Sequence, residues 1–247
     1  KGVVSKLISL PYKCIEASNR SVSLAPSPHG VTPDAMRFFQ IDFAVSAADP
    51  NRVYANIEAS DDMGGLYRSN DKGASWEFVS DNPNLTNRPF YYTNIESNPK
   101  NADVVYNNSL RFLKSEDGGK SWKSISTPHG DNHDIWINPN DTSIWVQSND
   151  GGVNVTMDNG KSWSSQFNQP TAELYTVEVD DQYPYWLYSG QQDNFSTIAV
   201  PSMPSSDRQI GSNAFIMSTG GCETGPAVPK PGNPNIVYAA TWQRHRN

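Results

Sequence analysis

An eight-residue phrase recurs three times in this chain: SNDKGASW at 69–76, SEDGGKSW at 115–122 and TMDNGKSW at 156–163. A second phrase precedes each copy, as DPNRVY at 49–54, NPKNADVVY at 98–106 and NPNDTSIW at 138–145. NPNIVY at 233–238 repeats it with no later copy of the first. Self-similarity at this spacing implies successive supersecondary units, each needing its neighbours to bury its apolar faces. The two phrases have different jobs. An Asn or Asp before proline sets a turn ahead of an apolar strand, because the ring fixes φ and restricts the residue before it. In the box, Asp71, Asp117 and Asp158 can accept turn amide hydrogens, while Gly73, Gly119 and Gly160 permit compact backbone. Trp76, Trp122 and Trp163 then cover the junction. These aspartates read as scaffold rather than as catalysts.

The landmarks give a register of four strands per repeat. The first is expected at 41–45, 52–58, 65–69 and 75–79, the second at 92–96, 103–107, 110–114 and 121–126, and the third at 133–137, 143–148, 152–156 and 162–167. Segments 173–179, 185–190 and 195–200 begin another repeat that lacks a box and a legible outer strand, and 225–229 with 236–241 form a further inner pair. The expected fold is all-β: a β-propeller of four-stranded antiparallel blades with box turns. So few blades sit near the lower limit of closure, so the chain is expected to be a fragment of a larger ring whose remaining blades lie elsewhere in the parent protein. Residues 1–40 fit the register poorly and read as a partial blade or packed extension. Residues 41–247 read as consecutive blades, the last incomplete. Turn and strand formers such as Asn, Ser, Pro, Gly, Tyr and Trp outweigh the helix formers Leu, Met and Lys, in keeping with this reading.

Against 19 Lys and Arg stand 26 acids, a formal charge of -7 that disfavours nonspecific attraction to nucleic acid or anionic lipid. No apolar run approaches the roughly 18 residues of a spanning helix, and the opening KGVVSKLISLPYKC lacks a signal-peptide core, so a signal, if one existed, has been removed. Cys14 and Cys222 fit one disulfide or two unrelated thiols equally well. Asn-x-Ser/Thr sequons at Asn19, Asn84, Asn107, Asn140, Asn154 and Asn194 give weak support to a secreted origin.

The pattern S/T-x-D-x-G-x-x-W resembles the bacterial neuraminidase, or Asp-box, repeat. With GLYRSNDKGASW at 65–76, PHGDNHDIWINPND at 128–141, NDGGVNVTMDNGKSW at 149–163, NQPTAELY at 168–175 and GQQDN at 190–194, the chain is similar to large secreted bacterial proteins labelled glycosyl hydrolases. These are related to sortilin N-terminal and xyloglucanase-like propellers. The resemblance spans roughly residues 41–241 and implies an extracellular propeller. Its members include sialidases, receptors, assembly factors and noncatalytic modules, so it leaves chemistry open. The arginine triad and Tyr/Glu pair of a sialidase are not recognisable here.

In a propeller, the loops from an outer strand to the next inner strand emerge on the same face as those from second to third strand. The boxes lie at the opposite, outer edge. That geometry selects Arg88, Tyr91 and Tyr92; His129, Asp131, His133 and Asp134; Glu58 with Asp61; Asp150; Gln191, Gln192 and Asp193; and Cys222 with Glu223. HGDNHD at 129–134 is the sharpest cluster. A divalent metal near His129, Asp131 and His133, joined by Asp150, a carbohydrate subsite, and a structural hydrogen-bond network are three readings of it. Glycoside hydrolysis needs an acid and a second carboxylate. Asp134 is the candidate base or nucleophile and Glu58 the candidate acid, with Asp131 and Glu223 as substitutes. Arg88, Tyr91, Tyr92, His129, His133, Asp150, Gln191, Gln192 and Asp193 are candidate substrate contacts. Arg88 suits an acidic substituent or a local carboxylate, and Tyr91, Tyr92, Trp136 and Trp145 suit sheet packing or sugar stacking. Two functions follow: a secreted carbohydrate-active protein hydrolysing a polysaccharide, or a noncatalytic propeller module binding glycan, peptide or protein.

Overall fold

The computed structural model describes residues 38–59, 64–88, 91–166, 169, 171–194, 196–201, 216–218 and 223–239. Expectations for residues 1–37, for Asp61 and for Cys14 and Cys222 fall outside them. The described strands are all antiparallel, in separate sheets of two to four strands of the propeller-blade type. No helix among the described residues is long and apolar enough to cross a membrane. The chain groups into two compact units. One runs up to residue 149 and includes 155–163; the other comprises 150–154 and the chain from 164 onward.

In the first unit, β1 (Phe38–Val45), β2 (Val53–Ala59), β3 (Gly65–Ser69) and β4 (Glu77–Ser80) form one four-stranded meander. A 3-10 turn at Pro83–Thr86 leads to a second: β5 (Asn94–Ser97), β6 (Val105–Asn108), β7 (Phe112–Ser115) and β8 (Lys123–Ile125). A third sheet holds β9 (Asn132–Ile137), β10 (Trp145–Asn149) and β11 (Gly152–Thr156). Alternation of side chains sends one face of each sheet against its neighbour. Ala44, Tyr54 and Leu66 of the first sheet share a buried cluster with Leu85 and with Ile95, Val105 and Leu113 of the second. Tyr106 and Phe112, on the second sheet's other face, pack with Ile135, Ile137 and Trp145 of the third. The middle sheet is thus covered on both sides, and β6 is buried throughout.

The three boxes repeat one hydrogen-bond pattern. Asp117 Oδ1 accepts the Ser115 hydroxyl at 2.8 Å and the Ser121 N–H at 2.9 Å, Oδ2 accepts the Ser121 hydroxyl at 2.6 Å, and Gly119 N–H donates to Ser115 Oγ at 2.9 Å. Asp71 and Asp158 make the equivalent bonds. Bonds from Ser75, Ser121 and Ser162 hold the three carboxyls down at about 2. The second box also joins sheets. A Cβ on Gly119, whose φ is +92°, would lie 2.3 Å from Leu66 Cδ2, so only glycine lets this turn seat against β3. Arg52 adds a bond to Asp103 at 2.6 Å, and Arg68 reaches Gly118 O at 3.1 Å.

The expected fourth strand at 162–167 is not formed among the described residues. Side chains take its place. Gln169 accepts the Val153 N–H at 2.9 Å and donates to Val153 O at 2.6 Å, while Asn154 and Gln166 tie Ser164–Gln166 to the same edge. In the second unit, β12 (Glu178–Val179), β13 (Trp186–Gln191), β14 (Ser196–Pro201) and β15 (Ile216–Ser218) form a four-stranded sheet, so β15 supplies the outer strand that the sequence left unassigned. β12 is shorter than expected because its antiparallel ladder with β13 is interrupted before an isolated bridge of Leu174 to Gln191, where Glu173 O accepts the Gln192 N–H at 3.0 Å. β16 (Ala227–Lys230) and β17 (Asn233–Ala239) form the further pair, and Tyr188, Ala199 and Ala227 form the buried cluster of this unit.

Candidate functional site

Two connections of the first unit meet in one surface. After the 3-10 turn, Arg88 O accepts the N–H groups of both Tyr91 and Tyr92 at 3.0 Å, which holds the two adjacent phenols by Arg88 ahead of β5. The connection from β8 to β9 ends at Asp131, which adopts a left-handed φ of 52°. Its N–H donates to Leu110 O at 3.3 Å, and the next N–H, of Asn132, donates to Ser109 O at 2.7 Å, so Asp131 is anchored against the β6–β7 turn. Buried Asn132 reinforces that anchor by donating to Ser109 O and accepting from Gln147.

Held this way, Asp131 Oδ1 accepts from Arg88 Nη1 at 2.9 Å and from the Tyr92 hydroxyl at 2.5 Å. The Tyr92 ring lies 4.3 Å from that of His133, and Tyr91 stands edge-on to Tyr92 at 5.2 Å. Tyr91 is 63% exposed. The result is an exposed aromatic face bordered by a charge-paired donor and acceptor. Arg88, Tyr91, Tyr92, Asp131 and His133 are therefore brought together from two connections.

The divalent metal expected near His129, Asp131 and His133 is a reading that fails. Among the described residues, no group of three or more His, Cys, Asp or Glu is placed to hold a metal ion. Asp131 is engaged by Arg88 and Tyr92, the His133 ring packs on Tyr92, and His129 Nδ1 lies 3.1 Å from Gly130 O in its own loop.

The carboxylates proposed for hydrolysis occupy different places. Asp134 is exposed on β9, its Oδ1 accepting the Ile135 N–H at 2.8 Å, on the face that also carries the exposed Trp136. Glu58, near the end of β2, stands opposite Gln40 with a buried Oε2 that has no hydrogen-bond partner among the described residues. The charge of Asp134 acts instead on two acids that sequence reasoning passed over. Burial pushes Asp42 on β1 above its ordinary value, against the Ile95 N–H that Oδ2 accepts at 2.5 Å, and Asp134 adds to the rise. Burial likewise raises Glu96 on β5, with Asp134 and then Asp42 pushing the same way. The signal in the sequence was an acid within each inner strand, in QIDFAV, NIES and NHDIWI.

Asp150, Gln191, Gln192, Asp193 and Glu223 belong to the second unit. Gln192 Nε2 donates to Asp193 Oδ2 at 3.1 Å and its carbonyl oxygen accepts the Tyr175 hydroxyl. Asp193 has a φ of 58°, Gln191 is buried, Asp150 O accepts from Asn194, and Glu223 is half-buried ahead of β16. Trp145 is fully buried, and so are the sequon residues Asn107 and Asn154, which are scaffold.

No family model matches the chain, and no curated protein does. Distant likenesses appear among solved structures. A GH74 enzyme from Niastella koreensis has 12% identity and a TM-score of 0.44, covering 78% of this chain and 30% of that one. The GH74 xyloglucanase from Xanthomonas campestris has 16% identity and a TM-score of 0.39, over 84% of this chain and 33% of that one. YCF48 from Cyanidioschyzon merolae has 16% identity and a TM-score of 0.37, over 84% and 72%. The chain spans about a third of the length of these two GH74 enzymes.

Proposed function

We propose that this chain is a ligand-binding part of a secreted β-propeller, and that the ligand is a glycan held at Arg88, Tyr91, Tyr92, Asp131 and His133. The five sheets are read as consecutive blades of a larger ring. The observation carrying the reading is the exposed Tyr91 ring beside the Arg88–Asp131 pair. A sugar presents an apolar C–H face and an edge of hydroxyls. Tyr91 offers a partner for the first, while the second oxygen of Asp131 and the outer N–H groups of Arg88 can accept from and donate to neighbouring hydroxyls.

Hydrolysis is the second reading, favoured by one observation: Glu96 is kept protonated to higher pH by burial within reach of the Asp134 charge, as a general acid requires. One experiment addresses both. Neutral and acidic oligosaccharides and extended peptides are titrated calorimetrically into wild type and Tyr91→Ala, and each mixture is assayed for new reducing ends. A glycan reading expects oligosaccharide binding that weakens about tenfold or more in Tyr91→Ala, in line with the loss of one stacking contact. Peptide binding alone sinks it. Reducing ends that vanish in Glu96→Gln would move the function to hydrolysis.

A further inference from the structure

We propose that Asp131 sets the charge selectivity of this surface, so that it accepts uncharged sugar rings and rejects uronic and other acidic ones; the proposal rests on the glycan reading above. An arginine beside an aromatic face would by itself receive a sugar carboxylate, because its planar fork pairs bidentately with that group. Here the guanidinium is already engaged. Arg88 Nη1 lies 2.9 Å from Asp131 Oδ1, with the arginine side chain 45% and the aspartate 20% exposed. The same oxygen accepts the Tyr92 hydroxyl, so the carboxylate is gripped from two sides. Its backbone is fixed as well, by the N–H bonds of Asp131 and Asn132 to the β6–β7 turn.

An incoming carboxylate therefore has two options. It displaces Asp131 from both partners, or it shares Arg88 with Asp131 against like-charge repulsion. Asp134 follows two residues after Asn132 on β9 and adds an exposed carboxylate to the same strand. A neutral ring meets no such penalty and finds both a donor and an acceptor.

Asp131→Asn isolates the charge. Asparagine tolerates the left-handed backbone and keeps an oxygen to accept the Tyr92 hydroxyl, while releasing the guanidinium from its counter-charge. Dissociation constants are measured for neutral hexasaccharides of glucose, xylose and mannose and for an oligoglucuronate of the same length, at low and physiological salt. The proteins are wild type, Asp131→Asn and Asp131→Asn with Arg88→Met, each checked for an unchanged unfolding temperature. Wild type is expected to bind a neutral hexamer in preference to the uronate. Asp131→Asn should improve uronate binding about tenfold relative to the neutral sugar, in a salt-sensitive way, and Arg88→Met should erase the gain. Equal binding of uronate by wild type, or an unchanged ratio in Asp131→Asn, overturns the charge selectivity and leaves the glycan reading standing. Binding of no oligosaccharide by any variant overturns both.

Discussion

At the scale of single residues, the same carboxylate group has opposite roles according to what surrounds it. Asp117 is exposed and held at about 2 by the Ser121 hydroxyl and backbone N–H bonds, so it is charged throughout ordinary conditions and stabilises its turn as an anion. Asp117→Ala leaves the Ser121 N–H and two hydroxyls without their acceptor and is expected to lower stability by about 1 kcal/mol, a figure kept small because water screens and replaces exposed bonds. Asp117→Asn retains one oxygen for Ser115 and Ser121 and should lose less. Denaturant unfolding of the three proteins at pH 7, and again on acidification, checks this. The gap between wild type and Asp117→Ala should shrink as pH falls from about 4 towards about 2, because protonation of the unfolded chain removes the advantage of the anion. A gap independent of pH would mean that the carboxylate acts only by its shape.

Among the elements, the boxes differ in a way that their common sequence conceals. Gly119 and Gly73 share a positive φ, of +92° and +87°, yet a Cβ on Gly119 meets Leu66 Cδ2 at 2.3 Å, while one on Gly73 meets nothing nearer than the Trp76 ring at 3.5 Å. Gly119→Ala should cost about 2–4 kcal/mol, combining left-handed strain with overpacking, and Gly73→Ala about 1–2 kcal/mol from strain alone. Equal losses in chemical denaturation would show that the second box does not depend on its seat against β3. This contrast also marks what was legible in the sequence. The boxes, the Asn/Asp-Pro turns and most strands could be placed, since local bonds such as Asn98 Oδ1 to the N–H of Lys100 determine them. The fourth strand at 162–167 could not be excluded, because the amide of Gln169 reaches back to Val153 only in the folded sheet. The site divides likewise. Strand order put Arg88, Tyr91, Tyr92 and Asp131 on candidate loops, whereas the pairing of Arg88 with Asp131, which removes the metal reading, depends on two connections meeting in space. Asp42 and Glu96 were missed because their burial comes from how sheets pack, which no local pattern encodes.

For the whole molecule, these carboxylates make the dependence of stability on pH asymmetric. The box aspartates have folded values below the unfolded ones, so their contribution is complete above the ordinary carboxylate range and is lost as pH falls through about 2. Asp42 and Glu96 are raised, so the folded state binds their protons more tightly than the unfolded chain does. Stability from that source is complete below the unfolded values of 3.8 and 4.5, then declines as pH rises through the folded ones. The two groups therefore act on stability from opposite sides, the box aspartates favouring higher pH and the buried pair lower pH. Asp42→Asn keeps an oxygen for the Ile95 N–H and, with Glu96→Gln, removes the burial cost of charge together with the repulsion from Asp134. The double variant should be more stable than wild type at pH 7, equal to it well below the unfolded values of 3.8 and 4.5, and equally sensitive to stronger acid. Urea midpoints across that range measure the effect. A variant that falls further below wild type as pH rises would show that the Asp42 anion is needed to bind the second sheet through Ile95, and that its attraction for that N–H outweighs the penalty of burying it.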